Sequence, residues 1–533
     1  MEDVKSYLRS IPLGWLTALA LVLCIPAFFI HLGTIAFIGD EGIRTLVALE
    51  MKITGHYIVP TLNGEPYFNK PPLYNWFILF TSTLYGSFGE WPTRITSLFF
   101  LGLFSLTVYF STRKHFDRLT SISLTLMLLT SGRILFWDSM LGLIDICFSW
   151  IIYLNFITLY QLGSKGKWRL MFLISYLLCS VAFLLKGIPA AVFQGISVVA
   201  ALFFHGAFKK KFFSSDHFTG AAIGLIPMLI YYIFYAQEVS LQNVFSILLD
   251  QSVQRTGVHF GFLQTVLHVF TFPLEQFYHF LPWSVLTVLF FHPQFRKWVR
   301  EKPFVHFCFW MLVLNIPVYW FSVQVYPRYL LMFLPIFNMV GLYTLIRTKE
   351  AGQKWWKVLL RIFQVLSALV VLAILAMPFY QRAYILPGMI AIWIGGSLIL
   401  SVCFLGLSFD SGRMFLWLTL ILLFTRCVFN LVVLPLRSYE NSENNSRDDA
   451  RRLVQRHGDK AWYIYDKSEL HEVARFYTTA EKNEIIHKAP EICDSTGYYF
   501  VDLCLYPDFP GRQIDSLILE KGRMISLMEP DHR

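Results

Sequence analysis

Residues 358–378 read VLLRIFQVLSALVVLAILAMP, residues 385–407 ILPGMIAIWIGGSLILSVCFLGL, and residues 414–436 MFLWLTLILLFTRCVFNLVVLPL. An α-helix rises about 1.5 Å per residue, so roughly 20 apolar residues cross the ~30 Å hydrocarbon core of a bilayer. Each of the three runs is long enough to do so. Working outward, similar runs recur near residues 13–37, 95–112, 119–136, 139–160, 170–185, 188–206, 219–236, 278–292, 304–323 and 329–346, which predicts thirteen spans. The chain has 533 residues, of which 56% are hydrophobic and only 15% charged, with a mean hydropathy of +0.52. A soluble fold has no place for that much apolar surface, so the chain reads as a polytopic membrane protein, and only helices or closed barrels span bilayers. Secreted enzyme, cytosolic regulator and disordered protein are excluded as readings of the whole chain. The first run is too long for a signal-peptide core and lacks a small-residue cleavage site, so it is expected to be the first span.

The net charge of +10 is unevenly divided. Residues up to Leu436 carry 31 Lys and Arg against 17 Asp and Glu, a net of +14, whereas the remainder carries 14 against 18, a net of −4. The basicity therefore belongs to the membrane region and reads as the positive-inside bias, not as a nucleic-acid surface. With the N-terminus in the cytoplasm, the cytoplasmic connections collect 21 positive residues and the opposite ones nine. An odd number of spans then puts residues 437–533 on the outer, periplasmic side of a bacterial inner membrane.

That tail is predicted to be a soluble α/β domain following an all-α polytopic membrane domain, residues 1–436. Residues 461–465 and 498–502 alternate as strands do, and Ser468 to Tyr477 has helical spacing behind a Ser468 cap. Six of the eight cysteines fall in apolar runs and read as small core residues. Cys493 and Cys504 are candidates for a disulfide in an oxidising compartment, two unpaired thiols being the alternative.

Two outer connections, residues 38–94 and 237–277, are too long to be mere linkers. In the first, Glu41–Thr54 has the spacing of an amphipathic helix lying on the membrane surface. Ionisable residues cluster at the outer ends of the spans, where charge near lipid is costly and points to function. They are Asp40 and Glu41 after the first span, Lys70 before Pro71 and Pro72, Arg133 and Asp138, Lys186 before Gly187, Arg255, and Arg328 beside Tyr329. Cations and a phenol bind phosphate through charge-assisted hydrogen bonds, and a carboxylate removes or orients an acceptor proton. A lipid-linked phosphate would bring its own membrane affinity. The sequence has neither a G-x-x-x-x-G-K-[ST] loop nor an H-E-x-x-H motif. His56, His259, His268 and His279 have no metal-ligand spacing and read as interfacial residues, Asp145 as a buried polar partner within an apolar run, and Asp138 and Arg133 equally as an ion pair.

Several segments, in order, resemble the integral-membrane C-type (GT-C) glycosyltransferases that use polyprenyl-phosphate sugars, in particular the bacterial branch of lipid A aminoarabinose transferase and protein O-mannosyltransferase-like enzymes. They are Gly39-Asp40-Glu41, the long stretch Tyr57 to Trp76 with its Asn63-Gly64 and Lys70-Pro71-Pro72, Arg94, Arg133 to Asp138, Lys186-Gly187, Arg255, and Pro327 to Pro335. The resemblance covers roughly residues 12–436. It implies a GT-C fold and inverting transfer of a sugar from a polyprenyl-phosphate donor to a lipid A, glycan or protein acceptor. Asp40, Asp138 and Glu41 would be catalytic, and Lys70, Lys186, Arg255 and Tyr329 would hold the donor phosphate. No cofactor beyond the lipid-linked donor is implied. Relatives often have Glu before the Lys-Pro pair, where this chain has Asn69, and a His/Glu-rich stretch where it has Asp250 to Gln254; both changes weaken the case for a divalent metal. The alternative for such a chain is a lipid or sugar transporter or flippase, though the internal repeats common in transporters are not seen.

Overall fold

In a computed structural model of the chain, residues 2–242, 246–247, 261–440, 442–519 and 522–531 are described. Among the described residues eight helices are long and apolar enough to cross a membrane: Glu90–Arg113, Asp145–Gly163, Trp168–Lys186, Pro303–Trp320, Pro327–Glu350, Lys354–Leu375, Met389–Phe409 and Ser411–Tyr439. Two further spans are bent, Arg118–Leu129 with Gly132–Met140 by 50° and Ser215–Gly224 with Ile226–Tyr235 by 41°, and Leu13–Phe29 and Ile188–Phe204 are shorter apolar helices. These account for all but one of the expected runs. The run at 278–292 instead forms the end of the Phe262–His279 helix and a nine-residue 3₁₀ helix, Trp283–Phe291. Its two ends meet opposite ends of the bundle, Leu281 accepting from Gly132 N–H at 2.8 Å and His292 bonding Gln353 at 2.5 Å, so the run passes through the bundle without forming one long α-helix.

Helix contacts between spans are apolar with polar pins. Asn155, Ser175 and Gln194, from three neighbouring helices, close a ring of hydrogen bonds of 2.7–2.8 Å in the bundle interior. Every member is buried, so each bond meets a donor or acceptor that would otherwise be unpaired in hydrocarbon. At one end of the bundle the basic connections are tied to each other: Lys114 donates to Gln161 at 2.9 Å, Arg347 pairs with Glu301 at 2.8 Å, and Arg413 donates to the carbonyls of Leu8 and Ile11. The Asp40–Thr54 helix, the loop that follows it and the C-terminal domain lie at the other end.

The C-terminal domain is an α/β unit. Helix Ser442–His457 leads into β3 (Trp462–Tyr465), helix Glu472–Lys482, β4 (His487–Ala489), β5 (Tyr498–Val501), β6 (Gly511–Ile518) and β7 (Met524–Pro530), with sheet order β4-β3-β5-β7-β6. β3 is parallel to β4 and β5, and β5–β7 and β6–β7 are antiparallel. All four residues of β5 are buried, as expected of a central strand. The second helix starts at Glu472 and not at Ser468, because the Ser468 hydroxyl accepts instead from the Asp502 N–H at the end of β5, 3.0 Å away. Cys493 and Cys504 are free, exposed thiols, so the bridge is not formed.

One expectation about the first outer loop is corrected. The Asp40–Thr54 helix does not lie on a surface; Arg44 through Met51 are all buried. Leu46 and Leu49 enter the apolar core of the C-terminal domain with Val473, Phe476 and Leu453, while Val47 and Met51 pack on Tyr67. The close approach requires Gly42: a Cβ there would meet Val473 Cγ2 at 3.0 Å and Cα at 3.1 Å. Polar latches complete the joint. Ala36 N–H donates to Asn444 at 2.7 Å, Phe37 N–H to the Tyr477 hydroxyl at 3.0 Å, and Arg447 pairs with Glu90 at 3.0 Å.

Candidate functional site

Gly39 precedes the Asp40–Thr54 helix at φ 54° and ψ −123°, a conformation open to glycine and strained for other residues. The helix therefore starts abruptly, with Asp40 and Glu41 in its first turn. Consecutive helical residues point about 100° apart, so the two carboxylates face different surroundings. Glu41 turns inward and is wholly buried. It accepts from Arg94 Nε at 3.0 Å and Nη2 at 3.1 Å, from Gly142 N–H at 2.6 Å and from Ile38 N–H at 3.0 Å. The rest of the Arg94 guanidinium holds the carbonyls of Leu32 and Ile35, at 2.7 and 2.8 Å, and of Ala36 at 3.2 Å. This pair knots the first span's exit to the start of the second and leaves Glu41 no free lone pair to offer a substrate.

Asp40 turns outward, with its side chain 52% exposed. Its Oδ2 accepts from Arg328 Nη2 at 2.7 Å, across 288 residues of sequence. Arg328 also faces Asp145, with Nε 3.3 Å from Oδ2 but without hydrogen-bond alignment, so among the described residues this buried Nε meets no acceptor. Asp145 Oδ1 in turn takes Lys186 Nζ at 2.5 Å. The Lys186 ammonium lies 3.7 Å from the centre of the Tyr329 ring, and the Arg328 guanidinium 4.4 Å from that of Tyr326, cation–π contacts that hold both cations in place. Asp40, Arg328, Asp145, Lys186 and Tyr329 thus form one continuous chain of contacts drawn from four helices.

Asp138 and Arg133 sit beside this chain, paired at 3.1 Å, with Asp138 almost completely buried. Lys70 comes from the loop after the helix. That loop is shaped by an Asn63-Gly64 turn, both at positive φ, joining β1 (Thr61–Leu62) and β2 (Glu65–Pro66). Glu50 grips the turn, accepting from Asn63 N–H at 2.6 Å, Gly64 N–H at 3.1 Å and the Thr61 hydroxyl at 2.8 Å. Burial pushes the Glu50 carboxyl above its ordinary range, against the opposing pull of those three bonds. Further along, Lys70 lies against Tyr231, Tyr232 and Tyr235 and acts electrostatically on Asp145.

Of the residues expected from sequence, the structure brings Asp40, Lys186 and Tyr329 into direct connection and sets Asp138 and Lys70 beside them. It sends Glu41 into a buried ion pair away from the opening. Arg255 lies outside the described residues, as do Asp250 to Gln254. The hub residues Asp145 and Arg328 carry more of the site than sequence reading gave them. The available signal was an aspartate starting an apolar helix with no cation nearby in sequence. Among the described residues no three His, Cys, Asp or Glu side chains come together as a metal-ligand group.

Arg133 also lines a cavity of about 480 Å³ between the helices. Its walls include Leu366, Val370, Leu418, Ile421 and Phe429, and its polar lining includes Arg133, His279 and Arg437. An apolar slot with cations in its wall thus shares a residue with the Asp138 pair next to the charge chain.

Residues 69–233 match the family model described as dolichyl-phosphate-mannose-protein mannosyltransferase. No curated protein matches the chain by sequence. The fold is similar to that of ArnT from Cupriavidus metallidurans bound to undecaprenyl phosphate, with a TM-score of 0.70 and 17% identity over 97% of this chain and 98% of that one. The apo state of the same protein aligns with a TM-score of 0.64 and 16% identity over the same shares. At that identity the likeness establishes the fold: a multi-pass, ArnT-like GT-C membrane domain with a small C-terminal sheet domain, as the sequence implies.

Proposed function

We propose that the chain is a polyprenyl-phosphate-dependent glycosyltransferase acting at the periplasmic face of the bacterial inner membrane, with its N-terminus cytoplasmic and its C-terminal domain periplasmic. The observation that carries the reading is the contact chain Asp40–Arg328–Asp145–Lys186–Tyr329 set beside an apolar cavity with basic residues in its wall. The family match and the undecaprenyl phosphate bound by ArnT agree with it. The slot lined by Leu366, Val370 and Leu418 is assigned to the polyprenyl chain, a reading supported by its apolar walls and by Arg133 and Arg437 among its lining.

Among the described residues Asp40 is the one carboxylate of the site that is open to an incoming acceptor, so it serves as the base. The acceptor oxygen or nitrogen attacks the sugar's anomeric carbon and gives its proton to Asp40. The bond from that carbon to the phosphate oxygen breaks on the opposite face, and its electron pair leaves with the polyprenyl phosphate. Lys186, Lys70 and the Tyr329 hydroxyl stabilise that charge, aided by Arg328, whose unfilled Nε is a ready donor. Arg255 is assigned to the same task. Asp145 and Asp138 are too deeply buried to meet the acceptor; they position Lys186, Arg328 and Arg133. The sugar is a hexose or pentose, and the acceptor a lipid such as lipid A, a glycan or a protein hydroxyl. Placement at the ends of the spans, instead of midway along them, favours transfer over transport.

The test is release of undecaprenyl phosphate from mannosyl- and aminoarabinosyl-undecaprenyl phosphate by purified protein in nanodiscs, with membrane glycolipid as acceptor. Asp40→Asn is expected to abolish release. Release that is undiminished by Asp40→Asn and Lys186→Met removes both residues from the mechanism.

A further inference from the structure

We propose that a second cavity, at the seam between the first outer loop's hairpin and the C-terminal domain, is a subsite for an anionic sugar, taking its carboxylate or phosphate. As a place for part of the acceptor, this rests on the transferase reading above. The cavity has a volume of about 450 Å³ and is lined by Asn63 from the β1–β2 turn and by Glu469, Glu472, Arg475, Lys488 and Arg523 from the C-terminal domain.

Its floor is Arg475. This guanidinium is only 5% exposed, and among the described residues its Nε meets no hydrogen-bond acceptor. A buried donor left unmet is costly; Glu472, Glu50 and Glu469 act on the guanidinium electrostatically, but none of them fills that Nε. Burial pulls the group down to about 10, which still leaves it charged at neutral pH. On the facing wall the Asn63 side-chain oxygen is likewise buried and unfilled. An unmet cationic donor and an unmet neutral acceptor across one small space ask for a ligand with an anionic oxygen and a hydroxyl, which is the surface of an acidic or phosphorylated sugar. The opening of the 11-residue Glu472–Lys482 helix adds a positive dipole end, and its cap position, His471, makes no side-chain capping bond. Exposed Lys488 supplies a second cation at the rim, and Glu469 and Glu472 offer acceptors for sugar hydroxyls. Arg523 is paired with Asp502 and contributes less.

The position suits acceptor recognition. Asn63 is held by Glu50, ten residues along the same helix that starts with Asp40, a separation of about 15 Å along the axis. That is the reach of two or three sugar units.

Binding to the full chain in detergent, measured by saturation-transfer NMR without any donor, tests the inference apart from turnover. The probes are D-glucuronate, D-glucose 1-phosphate and neutral D-glucose. Both anions are expected to bind and glucose not to; a difference between the two anions separates a carboxylate site from a phosphate site. Lys488→Glu, on the surface, is expected to weaken the anions about tenfold, and Arg475→Gln to remove binding in protein that keeps its thermal transition. Equal binding of glucose, or anion binding indifferent to Lys488→Glu, overturns the proposal. Asp40→Asn is expected to leave binding intact, so absent transfer with charge-dependent binding sinks the transferase reading alone, and transfer without such binding sinks the subsite alone.

Discussion

Two adjacent carboxylates, Asp40 and Glu41, are predicted to fail in opposite ways when neutralised. Glu41→Gln replaces an acceptor of four hydrogen bonds with an amide whose NH₂ must face donors from Arg94, Ile38 and Gly142. It leaves the Arg94 guanidinium buried without its counter-charge. Removing one partner of a buried pair costs about 3–5 kcal/mol. With an unfolding entropy of ~2.1 cal/mol/K per residue, a chain this long loses about one degree of Tm per kcal/mol, so the transition should fall by roughly 3–5 °C. Asp40→Asn removes a contact of a side chain that is 52% exposed, where an ion pair contributes at most about 1 kcal/mol, and Asn keeps the hydrogen bond to Arg328. Its Tm should move by less than about one degree while turnover collapses. A maleimide dye that fluoresces on reaching thiols reads both transitions, since Cys147, Cys179, Cys308 and Cys403 are buried, while exposed Cys493 and Cys504 and half-buried Cys24 and Cys427 set a baseline common to both variants. Parental Tm with lost turnover in Glu41→Gln would falsify the structural assignment of Glu41 and return it to the chemistry.

The remaining predictions concern the hub and the domain seam. Arg328→Gln uncouples Asp40 from Asp145 and should lower kcat/KM about 100-fold with little change in Tm; an unchanged kcat/KM removes Arg328 from phosphate stabilisation. Gly42→Leu drives a side chain into Val473, an overpacking cost of about 1–3 kcal/mol, and should loosen the C-terminal domain, read as faster proteolysis between residues 437 and 442; undisturbed proteolysis would mean that the seam tolerates the bulk. In the C-terminal sheet, hydrogen bonds from Lys460 at 2.8 Å and Arg512 at 2.9 Å hold the Glu529 carboxyl below its ordinary range. A carboxyl with a folded pKa below its unfolded one stabilises above about pH 4.3 and loses that contribution as pH falls through the folded value. Thermal stability between pH 5 and pH 3 should therefore fall less steeply in Glu529→Gln than in the parent, and parallel slopes would assign the acid sensitivity elsewhere.

Most of the architecture is legible from apolar run lengths, because a bilayer imposes one helix length on every span. The run at 278–292 does not announce its form, since hydropathy registers apolar content and not helix type, and behind Pro282 the chain continues as a 3₁₀ segment. The Asp40–Thr54 helix misleads for a related reason: its apolar stripe is real, but a stripe does not say whether lipid or another domain covers it, and here Val473, Phe476 and Leu453 do. In the site, the residues at loop motifs were readable and the hub was not. Arg328 meets Asp145 from 183 positions away and Asp40 from 288, so neither pairing leaves a local pattern. Asp145 lies in an apolar run, where a lone carboxylate reads as a satisfied core residue; it is satisfied, by the two cations it positions.

That satisfaction has a mechanistic consequence. The described site holds Asp40, Asp138 and Asp145 against Arg133, Arg328 and Lys186, with Lys70 close by. Without substrate the acids and cations nearly cancel, so the cations are held in place without a large uncompensated charge near lipid. A lipid phosphate entering beside Lys186 competes with Asp145 for the same ammonium, while Asp145 still faces Arg328. Arg328 would then turn further toward Asp145 and release Asp40 from its 2.7 Å contact, freeing the exposed carboxylate for an acceptor proton only when the donor is in place. Binding order is the readout. Initial-rate and product-inhibition patterns should show ordered binding, the lipid-linked donor before the acceptor, because only donor binding takes Arg328 off Asp40. A random-order pattern would show that Arg328 stays on Asp40 throughout, and that the two ends of the chain of contacts do not communicate.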